Sequence, residues 1–317
     1  MIVSTTDEIL EHHLQEFVEK FKDEILVYPN IEAIPNNIDQ EIEVLVTFGN
    51  DLTAENLNRF PKLRWIQMLS VGLEDLPFEA IKEREIHVTY VRGIHAIPMS
   101  EFVIGGMLHF EKHFHRYIQL QRKQIWDRDH LVGELNGRSL LIYGTGAIGV
   151  ELARKAQFFN MTVHGVNTLG KPVTSFDEVF TVEESFNRIG GYDYIAIILP
   201  LTPKTKGMFS EETLSQLKKE AVLINVGRGG LMDEEALYNI LKEKKIKGAI
   251  LDVFVNEPLP KGHPFWELEN VVITPHMSAK SNRYLDRCME IFVENYEKFK
   301  DCNLDLMINK VNLDRYY

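Results

Sequence analysis

Residues 139–149 read SLLIYGTGAIG, an apolar run followed at once by the pattern G-x-G-x-x-G. The run is typical of a strand buried on both faces of a sheet, and residues 148–158 have helical periodicity. In such a turn the first glycine permits the tight bend, the second lets a pyrophosphate approach the backbone, and the third lets helix and strand pack closely. The start of the helix adds N–H donors and a partial positive charge. We therefore predict a dinucleotide site at Gly144, Thr145, Gly146, Ala147, Ile148 and Gly149.

Apolar runs and helical patterns alternate on both sides of this turn. After it, the runs occupy residues 162–166, 194–199, 221–226, 248–254 and 271–274, with helical patterns at 210–217 and 234–242. Before it, the runs occupy residues 44–47, 65–69 and 87–90, with helical patterns at 53–60 and 73–82. This alternation indicates parallel sheets covered by helices. We predict an α/β protein with one doubly wound, Rossmann-type sheet and a second, flavodoxin-like α/β domain.

Two longer helical patterns mark the expected domain boundaries. Residues 100–122 form one long pattern whose length suits a connection between two domains, and residues 281–299 form another that we expect to return to the first domain. The chain has 317 residues, which is enough for about two domains. We predict a substrate-binding domain from residues 1–98 with 280–317 and a dinucleotide-binding domain from residues 99–279.

Composition and charge narrow the classes of partner. The formal net charge of −12 disfavours nucleic acid and anionic membranes, so an anionic ligand needs a local concentration of donors. The first residues lack a signal-peptide pattern, and no apolar run is long enough to span a membrane. Cys288 and Cys302 are too few for a disulfide framework. We expect a cytoplasmic protein that binds a small molecule, with no nucleic-acid or membrane partner.

The residues after the second strand of the nucleotide unit bear on the choice of cofactor. In NAD-specific units an Asp or Glu about 20 residues past the glycines bonds the ribose hydroxyls. Here Asn167 and Thr168 stand in that region, with Lys171 close behind. Because no carboxylate repels a 2′-phosphate and Lys171 can attract one, NADP is favoured. NAD remains the alternative, with Asn167 bonding the hydroxyls as a neutral group and Lys171 solvated at the surface.

Three successive apolar runs end in groups with complementary chemistry. Arg228, Glu257 and His276 each follow a predicted strand. In an open parallel sheet, ligands bind beyond the carboxyl ends of the strands, which is also where the glycine turn lies. Each residue alone has an ordinary interpretation as a surface ion-pair partner, a turn residue before Pro258, or a satisfied interior histidine. The occurrence of all three at one edge favours a catalytic site.

These groups suffice to reduce a 2-keto acid. The planar guanidinium of Arg228 can pair with the substrate carboxylate through two hydrogen bonds and polarise the keto oxygen. His276 can donate a proton to that oxygen while a hydride reaches the carbon, and can take the proton back in the oxidation. Glu257 can bond the other ring nitrogen and stabilise the charged ring.

The long helical pattern also carries three histidines close together. His109 and His113 have the i, i+4 spacing of a metal-binding pair, and His115 is near them. No H-E-x-x-H motif or cysteine ligand accompanies them. We therefore predict no metal site.

In combination, these motifs resemble those of the D-isomer-specific 2-hydroxyacid dehydrogenases. The resemblance runs from residue 99 through the glycine turn to residue 276, and the spacings of Arg228, Glu257 and His276 are similar to those of the family. The segment 92–101 and the neutral Asn167 look most like the glyoxylate and hydroxypyruvate reductase branch, which tends toward NADP. Thr145 departs from the apolar residue common at its position. The matching segments are 99–101, 144–149, 197–203, 225–230, 251–254, 257–260, 264–266 and 274–276.

The resemblance implies roles for individual residues. It implies that Arg228 binds and polarises the substrate, that Glu257 and His276 form the proton-donating pair, and that Asp252 holds the nicotinamide carboxamide. Further cofactor-binding positions implied in the same way are Leu199, Pro200, Thr205, Val226, Gly227 and Ser278. The positions implied for substrate binding are Ser70, Val71, Gly72 and Arg92.

These observations favour an NAD(P)-dependent dehydrogenase that acts on glyoxylate or hydroxypyruvate, as a homodimer. An alternative from another class is a dinucleotide-sensing interaction protein, because the family also resembles a transcriptional corepressor. The acidic charge and the lack of basic arms disfavour that alternative. Oxidation of phosphite or formate on the same scaffold is a third alternative, which Arg92 and its reductase-like segment disfavour.

Overall fold

The structure, a computed structural model, describes residues 1–73 and 76–313. The chain divides into two units, Met1–Ile94 with Ser281–Tyr317 and His95–Lys280. Within the described residues, no helix combines the length and apolar character needed to cross a bilayer. The predicted domain boundaries, and the assignment of substrate to the first domain and dinucleotide to the second, stay predictions.

The first unit contains a five-stranded parallel sheet. Its strands are β1 (Ile2–Ser4), β2 (Ile25–Val27), β3 (Val44–Thr47), β4 (Trp65–Met68) and β5 (His87–Thr89). They are ordered β2-β1-β3-β4-β5, which is the flavodoxin-like order. In register, Ile2 lies beside Ile25 on one side and Val44 on the other. The predicted second α/β domain is confirmed.

Short helices connect the strands of the first unit: α1 (Glu11–Phe21), α2 (Ala54–Leu57) and α3 (Phe78–Glu83). β1, α1 and β2 precede the first run recognised in the sequence and were not predicted. The helix predicted at 53–60 is shorter in the structure, where the Thr53 hydroxyl caps it by accepting from the Asn56 N–H at 3.1 Å. The helix predicted at 73–82 includes Glu74 and Asp75, which lie outside the described residues.

The second unit is built on a seven-stranded parallel sheet. Its strands are β6 (Ser139–Tyr143), β7 (Thr162–Val166), β8 (Glu178–Phe180), β9 (Tyr194–Ile197), β10 (Val222–Asn225), β11 (Gly248–Leu251) and β12 (Val271–Ile273). Their order is β12-β11-β10-β9-β6-β7-β8. The order reverses on either side of β6, as in a Rossmann sheet, and the crevice at such a reversal is where ligands bind. The predicted doubly wound sheet is confirmed, and β8 is an addition to it.

Both faces of this sheet are buried, which explains its unbroken apolar runs. Alternate residues of β6 point to opposite faces, so that Leu141 and Tyr143 join one apolar core while Leu140 and Ile142 join another. The helices of this unit are α4 (Ala96–Glu111), α5 (Phe114–Arg122), α6 (Ala147–Phe158), α7 (Val182–Phe186), α8 (Glu211–Ser215) and α9 (Glu234–Lys242).

The single helix predicted at 100–122 is wrong, because the structure breaks it into α4 and α5. His113 has a left-handed backbone with φ of +52°, which ends the first helix. The carbonyl of Glu111 accepts the N–H of Gly133 at 2.9 Å, and the Lys112 ammonium donates to the Gly133 carbonyl at 2.8 Å. The segment around Gly133 thus provides hydrogen-bond partners for groups at the end of α4.

The last helix, α10 (Tyr284–Lys300), belongs to the first unit. Its Phe292 stacks on Trp65 of β4 with ring centroids 5.3 Å apart, and Tyr296 lies 4.9 Å from Phe17 of α1. The helical pattern at 281–299 therefore packs on the sheet of the first unit.

Candidate functional site

Gly144, Gly146 and Gly149 shape the turn between β6 and α6. Gly144 has a φ of +112°, and its N–H donates to the Val166 carbonyl at 3.0 Å. A Cβ on Gly149 would lie 1.9 Å from the Gly144 carbonyl oxygen, so only glycine fits there. A Cβ on Gly146, in contrast, would meet nothing within 4 Å. The space at the start of α6 is open where a pyrophosphate would need it, so the residues fit a dinucleotide.

Asn167 follows β7 and uses its whole side-chain amide within the protein. The amide N–H groups donate to the Thr145 hydroxyl at 3.2 Å and to the Lys171 carbonyl at 3.0 Å. The amide oxygen accepts the N–H groups of Leu169 and Lys171 at 3.1 and 3.3 Å. Asn167 thus ties the loop 168–171 to the glycine turn, and Thr168 and Lys171 are exposed on that loop.

Arg228 leaves the carboxyl end of β10 on a turn organised by Asn225. The fully buried Asn225 amide donates to the Arg228 carbonyl at 3.0 Å, and its oxygen accepts the Gly227 N–H at 3.0 Å. A Cβ on Gly227 would lie 2.7 Å from the Leu199 carbonyl, so the turn packs tightly against the end of β9. Val226 is buried, whereas Arg228 is exposed and has one N–H on the Gly227 carbonyl at 2.7 Å.

Glu257 and His276 form a hydrogen-bonded pair beyond β11 and β12. The Nδ1 atom of His276 lies 2.8 Å from Oε2 of Glu257, and Oε1 of Glu257 accepts the Phe254 N–H at 3.0 Å. Partial burial opposes ionisation of Glu257, but the bonds from His276 and Phe254, with the charge of Arg228, hold its pKa below the usual range. The carboxylate is therefore kept ionised beside the ring.

The loop that carries His276 is anchored on the buried carboxylate of Asp252. Asp252, 1% exposed, accepts from the Thr274 hydroxyl at 2.5 Å and from the N–H groups of Met277 and Ser278 at 2.8 and 2.9 Å. The N–H of His276 bonds the Asp252 carbonyl at 2.9 Å. His276 itself has a left-handed φ of +53°. Three side-chain bonds and one backbone bond thus set where the imidazole stands.

The pair lines a pocket of about 430 Å³. Asp252 reaches its wall, and Leu259, Trp266 and Ile273 give it apolar surface. A cavity of this size with few polar groups is typical of small-molecule sites. Near the end of β9, the Thr205 hydroxyl donates to the Pro200 carbonyl at 2.7 Å and fixes the turn after Leu199.

The residues predicted to bind substrate lie in the first unit. Ser70 follows β4, and its hydroxyl is within hydrogen-bond distance of the Phe48 and Gly72 carbonyls, at 3.1 and 2.9 Å. Val71 and Gly72 are exposed. Arg92 follows β5 and is also exposed, with its carbonyl accepting from Asn309 at 3.2 Å.

Two residues of the site were missed by the sequence reasoning. Asn225 orients the turn of Arg228, and Thr274 holds Asp252 from the end of β12. The available signal was a polar side chain inside the apolar run 221–226 for Asn225, and a hydroxyl directly before Pro275 for Thr274.

Comparisons with known proteins bear on the class of this site. Residues 104–278 match the family model described as "D-isomer specific 2-hydroxyacid dehydrogenase, NAD binding domain". The chain is 32% identical over 311 residues to the glyoxylate reductase of Korarchaeum cryptofilum, covering 94% of this chain and 92% of that protein.

Two further relatives extend the comparison. The D-3-phosphoglycerate dehydrogenase of Methanocaldococcus jannaschii is 31% identical over 298 residues, which are 93% of this chain, and the chain spans only 57% of that relative's length. A solved D-isomer specific 2-hydroxyacid dehydrogenase family protein from Aeromonas salmonicida subsp. salmonicida A449 is 32% identical with a TM-score of 0.79, covering 99% of this chain and 98% of that one.

Proposed function

This chain belongs to the D-isomer specific 2-hydroxyacid dehydrogenase family, and on that premise we propose that it reduces a small 2-keto acid, glyoxylate or hydroxypyruvate, with NADPH. The family and the dehydrogenase class predicted from the sequence are confirmed. The observation that carries the proposal is the Glu257–His276 pair, 2.8 Å apart, on the same sheet as the open glycine turn. A glyoxylate reductase and a phosphoglycerate dehydrogenase are similar to this chain at nearly equal identity, so the substrate itself is part of the proposal.

His276 is the proposed proton donor to the keto oxygen. Because Glu257 holds Nδ1, Nε2 is the ring atom left for the substrate. The ionised Glu257 stabilises the ring when it carries both protons, and the same pair accepts the proton in the oxidation. A bound nicotinamide supplies the hydride chemistry.

Arg228 is the proposed partner of the substrate carboxylate and keto oxygen. Its guanidinium is exposed, and among residues 1–73 and 76–313 its one hydrogen bond, to the Gly227 carbonyl, leaves most of its five N–H groups available. Two parallel bonds to a carboxylate give both affinity and orientation. We assign Ser70, Val71, Gly72 and Arg92 to substrate binding on the same proposal.

NADP is the proposed cofactor, with NAD as the alternative. The proposal is supported by the neutral Asn167, which brings no carboxylate to the end of β7, and by the exposed Lys171. Because the Asn167 amide is hydrogen-bonded within the loop, we assign the recognition of a 2′-phosphate to the exposed Lys171. The remaining predicted contacts, at Thr205, Val226, Gly227, Asp252 and Ser278, belong to the same proposal.

A homodimer is also proposed. Its support is an apolar surface on α5 and the segment after it, where large side chains are exposed and Trp126 is 90% exposed. Exposed apolar patches of this kind mark interaction surfaces, and a second copy of the chain presents the same patch. The exposed members are Phe114, Tyr117, Ile118, Ile125, Trp126, Leu131 and Val132. The cytoplasmic location remains a prediction.

A panel of 2-keto acids, each assayed with NADPH and with NADH, tests the proposal. We expect oxidation of NADPH on addition of glyoxylate or hydroxypyruvate, at a higher kcat/KM than with NADH. Tight cofactor binding without turnover of any 2-keto acid would favour the sensor function instead. If only larger or phosphorylated 2-keto acids are turned over, the proposed substrate is wrong, but the proposed reaction, reduction of a 2-keto acid, still holds.

A further inference from the structure

A cluster of metal-ligating side chains lies in the first unit, on elements that the proposed reaction does not use. His12 and His13 stand in the first turn of α1, and Asp286 stands in the first turn of α10. One ligand atom from each lies within 4.8 Å of the others, and no other trio of His, Cys, Asp or Glu among residues 1–73 and 76–313 meets that geometry. Although the sequence predicted no metal site, we propose that His12, His13 and Asp286 form a binding site for a divalent metal ion such as Zn²⁺.

The distances suit a metal with two imidazole ligands and one carboxylate ligand. The Nε2 atom of His13 lies 3.0 Å from Oδ1 of Asp286, and Nε2 of His12 lies 3.9 Å from the same oxygen. With metal–ligand bonds of about 2.0 to 2.2 Å, the ligand atoms of a tetrahedral site stand about 3.3 Å apart. Small side-chain rotations bring the three atoms to that spacing, since His12 is 53% exposed and its ring already lies beside that of His13, with the centroids 3.9 Å apart.

The environment of His13 allows its ring to act as a ligand. Its side chain is 5% exposed, and among the described residues its Nδ1 atom has no hydrogen-bond partner. The proton of the neutral ring can therefore reside on Nδ1, which leaves a lone pair on Nε2 facing the Asp286 oxygen. The 3.0 Å contact is an ordinary hydrogen bond when Nε2 carries the ring proton; when Nδ1 carries it, a metal ion can take the place of that hydrogen and bind both Nε2 and Oδ1.

The second oxygen of Asp286 is held by Arg283, whose Nε lies 2.5 Å from Oδ2. Partners of this kind orient the ligating carboxylate without occupying the oxygen that faces the histidines. Two imidazoles and one carboxylate favour zinc, nickel or cobalt over magnesium or calcium, which prefer oxygen ligands throughout. Water completes the coordination on the exposed side of His12.

A metal here would join two helices that are far apart in the sequence. His13 and Asp286 are 273 residues apart, and their contact links α1 to α10. An ion that binds only the folded unit stabilises it in proportion to the logarithm of its concentration over the dissociation constant. The metal site therefore has a structural role, in which the bound ion stabilises the folded first unit by linking α1 to α10.

Calorimetric titration of Zn²⁺ into metal-free, tag-free protein tests this proposal. We expect one high-affinity site per chain and a rise in the thermal unfolding temperature on adding the ion. His12→Ala and Asp286→Asn should each weaken zinc binding by at least about tenfold. Loss of a residue that only hydrogen-bonds to a metal ligand already costs about tenfold in affinity, and loss of the ligand itself should cost no less. His12→Ala removes an exposed side chain, so its fold should be intact. Cobalt(II) gives a second readout, a visible absorption spectrum that these substitutions should abolish.

His115→Ala is the matched control, because His115 belongs to the other group of neighbouring histidines, 5.5 Å from His109 between ring centroids. We expect this variant to bind zinc as the unaltered protein does. Zinc binding that persists in His12→Ala and is lost in His115→Ala would overturn the proposal, as would the absence of any saturable site.

Discussion

The carboxylate of Glu257 connects two parts of the candidate site. One oxygen lies 2.8 Å from Nδ1 of His276, and the other accepts the Phe254 N–H at 3.0 Å at the end of β11. The backbone bond fixes the carboxylate, and the carboxylate in turn orients the ring. The proposed proton donor and the carboxylate that orients it are thereby already hydrogen-bonded, and such preorganisation favours general acid catalysis.

Replacing His276 by Gln should remove the proton donor and leave the fold. We expect kcat for 2-keto acid reduction to fall by on the order of 10² to 10⁴, with the dissociation constant for NADPH nearly unchanged. Steady-state kinetics and a fluorescence titration of the cofactor measure the two quantities. His115→Gln serves as the control, and an unchanged kcat in His276→Gln would exclude this residue from the mechanism.

Replacing Glu257 by Gln should change the pH dependence of the reaction. In the unaltered protein the lowered pKa of Glu257 keeps its charge through mildly acidic pH, and its stabilisation is lost only as the pH falls through that lowered value. Without the carboxylate the charged ring is less stable, so we expect the reductive kcat/KM to begin its decline at lower pH than in the unaltered protein. Identical pH profiles for the two proteins would show that the pair does not act as one unit.

Replacing Asn167 by Asp should shift cofactor preference toward NADH. The new carboxylate keeps the bonds from the Leu169 and Lys171 N–H groups, but it adds a charge that repels a 2′-phosphate. We expect the ratio of kcat/KM with NADPH to kcat/KM with NADH to fall by roughly tenfold or more. A repulsion of about 1.4 kcal/mol between the new carboxylate and the 2′-phosphate is enough for a tenfold change. Asn167→Ala separates the effects, because it removes the loop bonds without the charge and should affect both cofactors alike. A ratio that Asn167→Asp leaves unaltered would place the phosphate elsewhere.

Two glycines of the turn should respond differently to alanine. Gly149→Ala places a Cβ 1.9 Å from a backbone carbonyl, so we expect it to lower the free energy of unfolding by about 1 to 3 kcal/mol in urea denaturation. Gly146→Ala meets nothing within 4 Å and should fold normally, but it fills the space proposed for the pyrophosphate. We expect weaker cofactor binding with unchanged stability. Full cofactor affinity in Gly146→Ala would contradict the proposed binding mode.

Replacing Trp126 by Ser should weaken self-association. Trp126 is 90% exposed within the apolar surface that follows α5, and buried aromatic anchors commonly dominate protein interfaces. Sedimentation velocity should show a dimer for the unaltered protein and monomer at the same concentration for the variant. Leu306→Ser, at a side chain that is 64% exposed in the first unit, should remain dimeric. A monomeric unaltered protein would remove the dimer proposal.

The central architecture could be predicted because its strands are long and buried on both faces. β6, β10 and β11 give apolar runs that no solvated segment would carry, and the glycine turn follows the first of them. β1, β2 and β8 have three residues each and were not recognised, whereas the equally short β5 and β12 were found from the apolar runs 87–90 and 271–274. The helix break at His113 is not marked by a proline or a glycine in the sequence. It depends instead on hydrogen bonds between the end of α4 and the segment around Gly133.

The candidate site was predictable as a set of residues but not as a set of bonds. Arg228, Glu257 and His276 could be placed at strand ends because parallel strands share a carboxyl edge. The use of the Asn167 amide within its own loop depends on a turn geometry that periodicity does not contain. The same holds for Asp252, whose three partners belong to a segment more than 20 residues further along the chain.

Through the segment 274–278, the position of the His276 imidazole is set by a side chain buried at the end of the sheet. Asp252 is almost entirely enclosed, and every group that it holds lies within two residues of His276. If His276 is the proton donor as proposed, these bonds hold its ring in place, so little reorganisation energy is needed when charge develops on a neighbouring oxygen. A substitution that breaks the bonds between Asp252 and this segment would therefore lower kcat in the same way as loss of the proposed donor.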